Sequence, residues 1–445
     1  MRLADALRIP SKSVVAFTGA GGKSTAIGRI ARELSDEGRV ILTSTTKLHH
    51  RQSSLARSHI IARTPDDLGT LPSMLEESPS VLVTGDTAKG EPKWVGVDAS
   101  TLEALHAINQ KIAGTLLIEA DGARGRSIKA PADHEPVVPH FADLVVPVVG
   151  LDAIGAPLND EWVHRPERAA ILLGMAEGEV ILPEHVFALL NHPSGGLKGI
   201  PDEAEVRVLL NKAETRESQE HGRAIANLLL TAPRMRATVI ASVSQDQPVQ
   251  EVFGRVAGVV LAAGDSKRLG QPKQLLLWRG KPLVMHAVQA GQGAKLSPIV
   301  VVIGAEGEAV RKALENEPVL IVENEAWSTG LSSSVRAGLA SVEGNSEAVV
   351  MLLSDMPFVR AELVEALIKE HRRTLSPLVV PRVGGRRTNP VLFDRSTFSA
   401  LKAVRGDQGG RILLEQFSKV WVECDETILF DLDTPEDLER LKELE

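Results

Sequence analysis

The sequence predicts an α/β protein of two domains, each built on a mostly parallel sheet. Three observations lead there. At 445 residues the chain is too long for one ordinary core. Short apolar runs of strand length alternate with helical patterns in both halves, as in sheets covered by crossover helices. Each half also begins with an apolar strand that runs straight into a glycine-rich loop. The polar stretch Ser244-Gln245-Asp246-Gln247-Pro248 separates the halves, which places the boundary near Gln250 and the domains at 1–250 and 251–445.

In the first half, Val14-Val15-Ala16-Phe17 and Val40-Ile41-Leu42 read as buried strands. Ile27, Ile30, Ala31 and Leu34 recur between them at helical spacing, and Gly38 is placed to end that helix. Further strands are expected at Val81-Leu82-Val83, Leu116-Leu117-Ile118, Leu144-Val145-Val146 and Val208-Leu209-Leu210. In the second half they fall at Val259-Val260-Leu261, Ile299 to Ile303, Val319 to Val322, Val349 to Leu353 and Leu378 to Val380.

Composition narrows the classes of function. Hydrophobic residues make up 43% and charged residues 24%, the balance of a soluble globular protein, and a cytoplasmic location is expected. The lone cysteine, Cys424, rules out an intrachain disulfide and a thiolate metal cluster. Apolar stretches such as Leu144 to Leu151 fall far short of the roughly 20 residues that span a bilayer. A net charge of -8 gives no general attraction to nucleic acid or anionic membranes, so neither is an expected partner. Polyphosphates must then be met by local cations and backbone N–H groups, and the sequence offers two such places.

The first is Leu261-Ala262-Ala263-Gly264-Asp265-Ser266-Lys267-Arg268-Leu269-Gly270-Gln271-Pro272-Lys273, directly after a strand. Ala262, Ala263 and Gly264 leave room for a nucleotide against the backbone, and the loop N–H groups of Ser266 and Gly270 join them as phosphate ligands. Arg268 and Lys273 supply positive charge. Asp355 stands right after an apolar strand, where a carboxylate suits Mg²⁺ between phosphates; the alternative is a helix cap before Pro357. Asp433 is a candidate second metal ligand, or part of the helix start Asp-Thr-Pro. Ser332, Ser333 and Ser334 open a helix and suit an anionic acceptor or a plain cap, while Arg386, Arg387 and Arg411 are candidates to steady an acceptor phosphate.

This half resembles the nucleotidyltransferases that activate sugars, lipids and the molybdenum cofactor, and within them the MobA/MocA-like group. The resemblance runs from Val256 to Leu441. Besides the first loop it includes Trp327 to Leu339, Leu353-Ser354-Asp355-Met356-Pro357, Asn389-Pro390-Val391-Leu392-Phe393, Gly406 to Arg411 and Asp431-Leu432-Asp433-Thr434-Pro435. It implies a Rossmann-like, GT-A-like domain with Arg268, Lys273 and Asp355 as catalytic residues, and Asn389 with Arg387, Arg411 and the three serines at the acceptor. An acceptor phosphate would attack the α-phosphorus of a nucleoside triphosphate with Mg²⁺ and release pyrophosphate, so catalysis is alignment plus charge neutralisation. The Ala-Ala-Gly form of Ala262-Ala263-Gly264 resembles the cytidylyl-transferring branch, which implies CTP as donor and molybdopterin as acceptor. Guanylyl or other nucleotidyl transfer, and non-catalytic cofactor insertion, are the alternatives. One departure stands out: Thr388 occupies a position between Arg387 and Asn389 where related sequences usually carry glycine.

The second place is Thr18-Gly19-Ala20-Gly21-Gly22-Lys23-Ser24-Thr25, a shortened phosphate-binding loop between a strand and a helix. Gly19, Gly21 and Gly22 would cradle phosphate, Lys23 would neutralise it, Thr25 would join them, and Ser24 would ligate Mg²⁺ of a bound ATP or GTP. Glu119 and Asp121, two apart at a strand end, would address metal or water there, and Thr45, Thr46 and Lys47 would line the same crevice. Asn211-Lys212-Ala213-Glu214 is similar to the Asn-Lys-x-Asp element by which GTPases read guanine, with a longer acid; an ordinary strand exit is the other reading. His134 and His164 are weak metal candidates. With Lys129-Ala130-Pro131, His134-Glu135-Pro136 and His164-Arg165-Pro166, these pieces resemble the YqeC-type family, described as accessory proteins of selenium-dependent molybdenum hydroxylases. That resemblance implies an apo-hydroxylase as a protein partner.

Overall fold

The structure is a computed structural model and describes residues 1–444. The side chains of 407–409, in the middle of the Gly406–Arg411 motif, lie outside the described ones. The chain divides into two compact units, Met1–Phe253 and Gly254–Glu445.

In the first unit a nine-stranded sheet is built from β1 (Val14–Gly19), β2 (Val40–Ser44), β3 (Ser58–Ile61), β4 (Ser80–Thr84), β5 (Thr115–Glu119), β6 (Leu144–Gly150), β7 (Glu205–Asn211), β8 (Ala237–Ala241) and β9 (Val249–Gly254). Its order is β9-β8-β7-β6-β1-β5-β2-β4-β3, and the pairs from β8 through to β3 run parallel. Strands covered on both faces need apolar side chains on both, and β1, β2, β5 and β6 are buried almost throughout. The helix after β1, α1 (Lys23–Ser35), buries Ala26, Ile27, Ile30 and Ala31 on one face, as the helical spacing predicts. A second helix, α2 (Arg216–Leu229), follows β7 and is capped by the Thr215 side chain. Ser244 to Pro248 lies between β8 and β9 of this sheet, and the units divide further along, after Phe253.

The second unit holds an eight-stranded sheet of β10 (Val256–Ala262), β11 (Ile299–Ile303), β12 (Leu320–Glu323), β13 (Ala348–Leu353), β14 (Leu378–Val383), β15 (Arg386–Arg387), β16 (Val391–Asp394) and β17 (Lys419–Glu423). The order is β12-β11-β10-β13-β16-β14-β15, with β17 also paired to β14. β10 to β13 are parallel neighbours, whereas β16 runs antiparallel to both β13 and β14. Apolar layers cover both faces of this sheet, around Val260 and Val350 on one and Val259 and Val349 on the other. Helices α3 (Leu331–Ala340) and α4 (Pro435–Glu443) belong to this unit. Both sheets are thus mixed α/β and mostly parallel, and in each the glycine-rich loop leaves the carboxyl end of a central strand, where such folds gather ligands. Among the described residues no helix is long and apolar enough to cross a membrane.

Candidate active site

In the second unit the loop leaving β10 and the turn leaving β13 meet. The Lys273 ammonium forms an ion pair with Asp355 and another, at 2.8 Å, with Asp433. Asp355 therefore lies against the loop, and it caps no helix: the next one starts at Ala361 behind Arg360. Asp433 is not the cap of α4 either, because Thr434 takes that role by accepting the Asp437 N–H. Asp431 joins them, so that one carboxylate oxygen from each of Asp355, Asp431 and Asp433 falls within 4.8 Å of the others. The local cause is Leu432, which is fully buried and donates its N–H to the Asp355 carbonyl, leaving the two flanking aspartates on the open side.

The electrostatics follow from that crowding. Desolvation and the charges of Asp355 and Asp433 push the Asp431 carboxyl up to about 7, with Lys273 opposing. Burial works against the Lys273 ammonium, yet Asp355 and Asp433 hold its pKa well above the usual value. Asp355 Oδ1 is buried without a hydrogen-bond partner, which is costly unless a cation or donor arrives. Hard carboxylate oxygens with one of them unsatisfied suit Mg²⁺.

The rest of the loop is preshaped. Ser266 has a positive φ of 53°, and its hydroxyl accepts the Lys273 N–H at 3.0 Å. Gln274, almost fully buried, donates to the Gly264 carbonyl at 3.2 Å. Leu261, Ala262 and Ala263 are buried, while Gly264 faces open space where a Cβ would stand. Gly270 has a φ of +73°. Arg268 is largely exposed, with its guanidinium 3.7 Å from Asp433, free to reorient towards a ligand.

The acceptor candidates separate. Arg387, Asn389 and Arg411 line a cavity of about 690 Å³ with Thr388, Glu415 and an apolar wall that includes Leu353 and Phe393. Arg386 is exposed next to it in sequence but is not part of that lining. Ser332, Ser333 and Ser334 do not line it; they are buried. Asn324 donates to the hydroxyls of Ser333 and Ser334 at 2.8 and 3.0 Å, and Arg336 to that of Ser332 at 3.2 Å. The Ser333 and Ser334 hydroxyls thus tie α3 to the residue that follows β12, and the Ser332 hydroxyl is taken within α3 itself.

In the first unit, Gly19, Gly21 and Gly22 all have positive φ, and a Cβ on Gly21 would fall on the Gly150 backbone, so only glycine fits this turn. Lys23 pairs with Asp121 at 3.1 Å, and the Ser24 hydroxyl donates to Glu119 at 2.8 Å. Burial pushes the Glu119 carboxyl up, against the pull of Lys23 and Ser24. Thr25 is exposed on the first turn of α1. Thr45 and Thr46 sit by this corner through the Thr45 N–H to Glu119 carbonyl bond and the approach of Thr46 to Gly122, whereas Lys47 pairs instead with Glu91. Asn211 donates to the Gly21 carbonyl at 2.7 Å. Lys212 turns to Asp152 and Ser127.

Sequence reasoning missed Asp431 and Lys129. The signal for Asp431 was the Asp-x-Asp spacing itself, since alternate residues of an extended segment share a side. Lys129 is fully buried, joins Asp121 to Glu135 at 2.9 Å each, and leaves no such pattern. His134 and His164 enter no cluster of three or more ligating side chains among the described residues; burial, then Arg165 and Lys129, lowers the His164 pKa to about 4.

Residues 258–420 match the family described as the MobA-like NTP transferase domain, and residues 15–167 match the YqeC protein family. The Nicotine blue oxidoreductase of Paenarthrobacter nicotinovorans is 38% identical over 199 residues, covering 42% of this chain and 96% of that protein. The YqeC protein of Escherichia coli (strain K12) is 30% identical over 190 residues, covering 42% of this chain and 72% of that protein. Among solved structures, Rv0371c from Mycobacterium tuberculosis H37Rv is similar with a TM-score of 0.39 at 28% identity, over 42% of this chain and 97% of that one.

Proposed function

The chain belongs to the YqeC family through its first half and to the MobA-like NTP transferase family through its second, which makes the second half a nucleotidyltransferase, and from this premise we propose that it cytidylylates molybdopterin while the first half binds ATP or GTP, both in the maturation of molybdenum hydroxylases. The observation that carries the reading is the meeting of Asp355, Asp431 and Asp433 with Lys273 of the glycine-rich loop.

In this reading the loop from Leu261 to Lys273 holds the triphosphate of CTP through its N–H groups, and Arg268 closes over it. Lys273 leaves the carboxylates for phosphate oxygens and carries part of their charge. Mg²⁺, when bound, would be held by the three aspartates and would lower the charge repulsion between the reacting phosphates. Arg387 and Arg411 fix the acceptor phosphate at the mouth of the cavity, and Asn389 orients its body. An acceptor oxygen then bonds to the α-phosphorus as the bond to the pyrophosphate oxygen breaks. No protein nucleophile is needed, because the attacking phosphate is already ionised.

The test is pyrophosphate release by the full chain with each of the four triphosphates, Mg²⁺ and molybdopterin. CTP is expected to support release, and Asp355→Ala to reduce it by about 100-fold or more. Release with GTP alone would keep the reaction and change the base; failure of all four triphosphates to support release would end the reading. The similarity to a protein named as an oxidoreductase supports a second reading, a redox reaction on a small molecule, which predicts no pyrophosphate release with any triphosphate.

A further inference from the structure

Around the glycine-rich loop of the first unit stand groups that phosphate binding does not use. Asn211 ends β7, and its buried carboxamide does two things at once: it donates to the Gly21 carbonyl at 2.7 Å and accepts the Val243 N–H at 3.0 Å. A Cβ on Gly22 would meet that same carboxamide, so Asn211 lies directly against the loop. One side chain thus ties the turn after β7 and the turn after β8 to the place where phosphate would sit.

Both turns are pinned further. Arg29, on α1, donates to the carbonyls of Val243, Gln245 and Asp246 at 2.9, 2.6 and 3.0 Å. The Ala213 N–H reaches the Ala241 carbonyl at 3.1 Å, and Gln219 holds the Ala213 carbonyl at 3.1 Å. Lys212 is anchored by Ser127 at 2.8 Å and Asp152 at 2.7 Å. Within this fixed frame two groups are left over. The Ser242 hydroxyl is buried, 1% exposed, with no partner. Glu214 is exposed, and its carboxylate makes no hydrogen bond or ion pair among the described residues.

Guanine presents two adjacent donors on one edge, N1–H and the 2-amino group, and a carboxylate presents two acceptors that match them. Adenine offers an acceptor at N1 and would be repelled by the same carboxylate. We propose that the first unit reads a guanine base, with Glu214 accepting both donors, the 242–246 turn beside it, and Asn211 fixing the distance from base to phosphates. This rests on the reading that residues 19–25 hold nucleotide phosphates. Glu214 is one methylene longer than aspartate, and its freedom from other partners leaves it that reach.

The experiment uses the full chain and measures only the part of nucleotide binding that Lys23→Ala removes, because the second unit binds a triphosphate of its own. Guanine nucleotides are expected to bind at least about 100-fold more tightly than adenine nucleotides, since a site built to accept hydrogen bonds rejects a base that lacks the donors. Xanthine carries a carbonyl where guanine carries its amino group, so Glu214→Gln, with one donor and one acceptor, should shift the preference from guanine to xanthine nucleotides. Such an exchange is not an effect of misfolding. Equal binding of ATP and GTP, or a guanine preference unchanged in Glu214→Gln, overturns the base assignment and leaves the phosphate site standing. Absence of any Lys23-dependent binding overturns both.

Discussion

Asp431 shows how much one residue's surroundings set its chemistry. Its carboxyl is pushed up to about 7 by desolvation and by Asp355 and Asp433, whereas an unfolded aspartate titrates near 4. The native state therefore binds the proton more tightly. That contribution to stability is full below about pH 4 and is lost as the pH rises through 7. Asp431→Asn should accordingly raise the melting temperature of the metal-free protein at pH 8 and do so less at pH 5; an equal effect at both would mean that Asp431 is not crowded by its neighbours. Binding of a divalent cation competes for the same carboxylate, so it should strengthen as the pH rises through 7. At this scale the sequence was partly legible. Asp355 and Lys273 announced themselves by following strands, whereas Asp431 reaches the site only because Leu432 is drawn into a core far along the chain. The hydroxyls of Ser333 and Ser334 look open to an anion because nothing in their own segment shows that Asn324 occupies them, while Ser332 is taken by Arg336 one turn along the same helix.

The elements that present these residues are strand–loop–helix units, and the first is the tighter. Gly21 packs against the Gly150 backbone with a φ of +81°, so a methyl group there has no space and an unfavourable conformation. Gly21→Ala should destabilise the first unit by about 2 kcal/mol or more, read by denaturant unfolding, and abolish its Lys23-dependent nucleotide binding. A variant of native stability that still binds nucleotide would show that the turn does not hold phosphate. Central parallel strands such as β1, β5 and β10 were legible because both of their faces are buried, which leaves unbroken apolar runs. β3 is a half-buried edge strand, and the β16 segment reads in sequence as the motif Asn389 to Phe393 and not as a strand. Its antiparallel pairing to β13 depends on contacts remote in sequence, which periodicity does not carry.

At the scale of the whole molecule, two compact units each carry their own apolar core and their own glycine-rich loop after a central strand, on a chain whose net charge is -8. An acidic protein gathers polyphosphate only where lysines and N–H groups are held in place, and here Lys23 and Lys273 are each paired with aspartates beside a glycine-rich loop. The central claim is that in the second unit those aspartates exchange the lysine for a metal ion that accompanies CTP. Manganese uptake, followed by the electron paramagnetic resonance signal of free Mn²⁺, tests it in the full chain carrying Lys23→Ala, a change chosen to remove any uptake at the first loop. Adding CTP should draw Mn²⁺ out of solution in that chain, and the further change Asp355→Ala should abolish the uptake; uptake that persists undiminished without the Asp355 carboxylate would contradict the account.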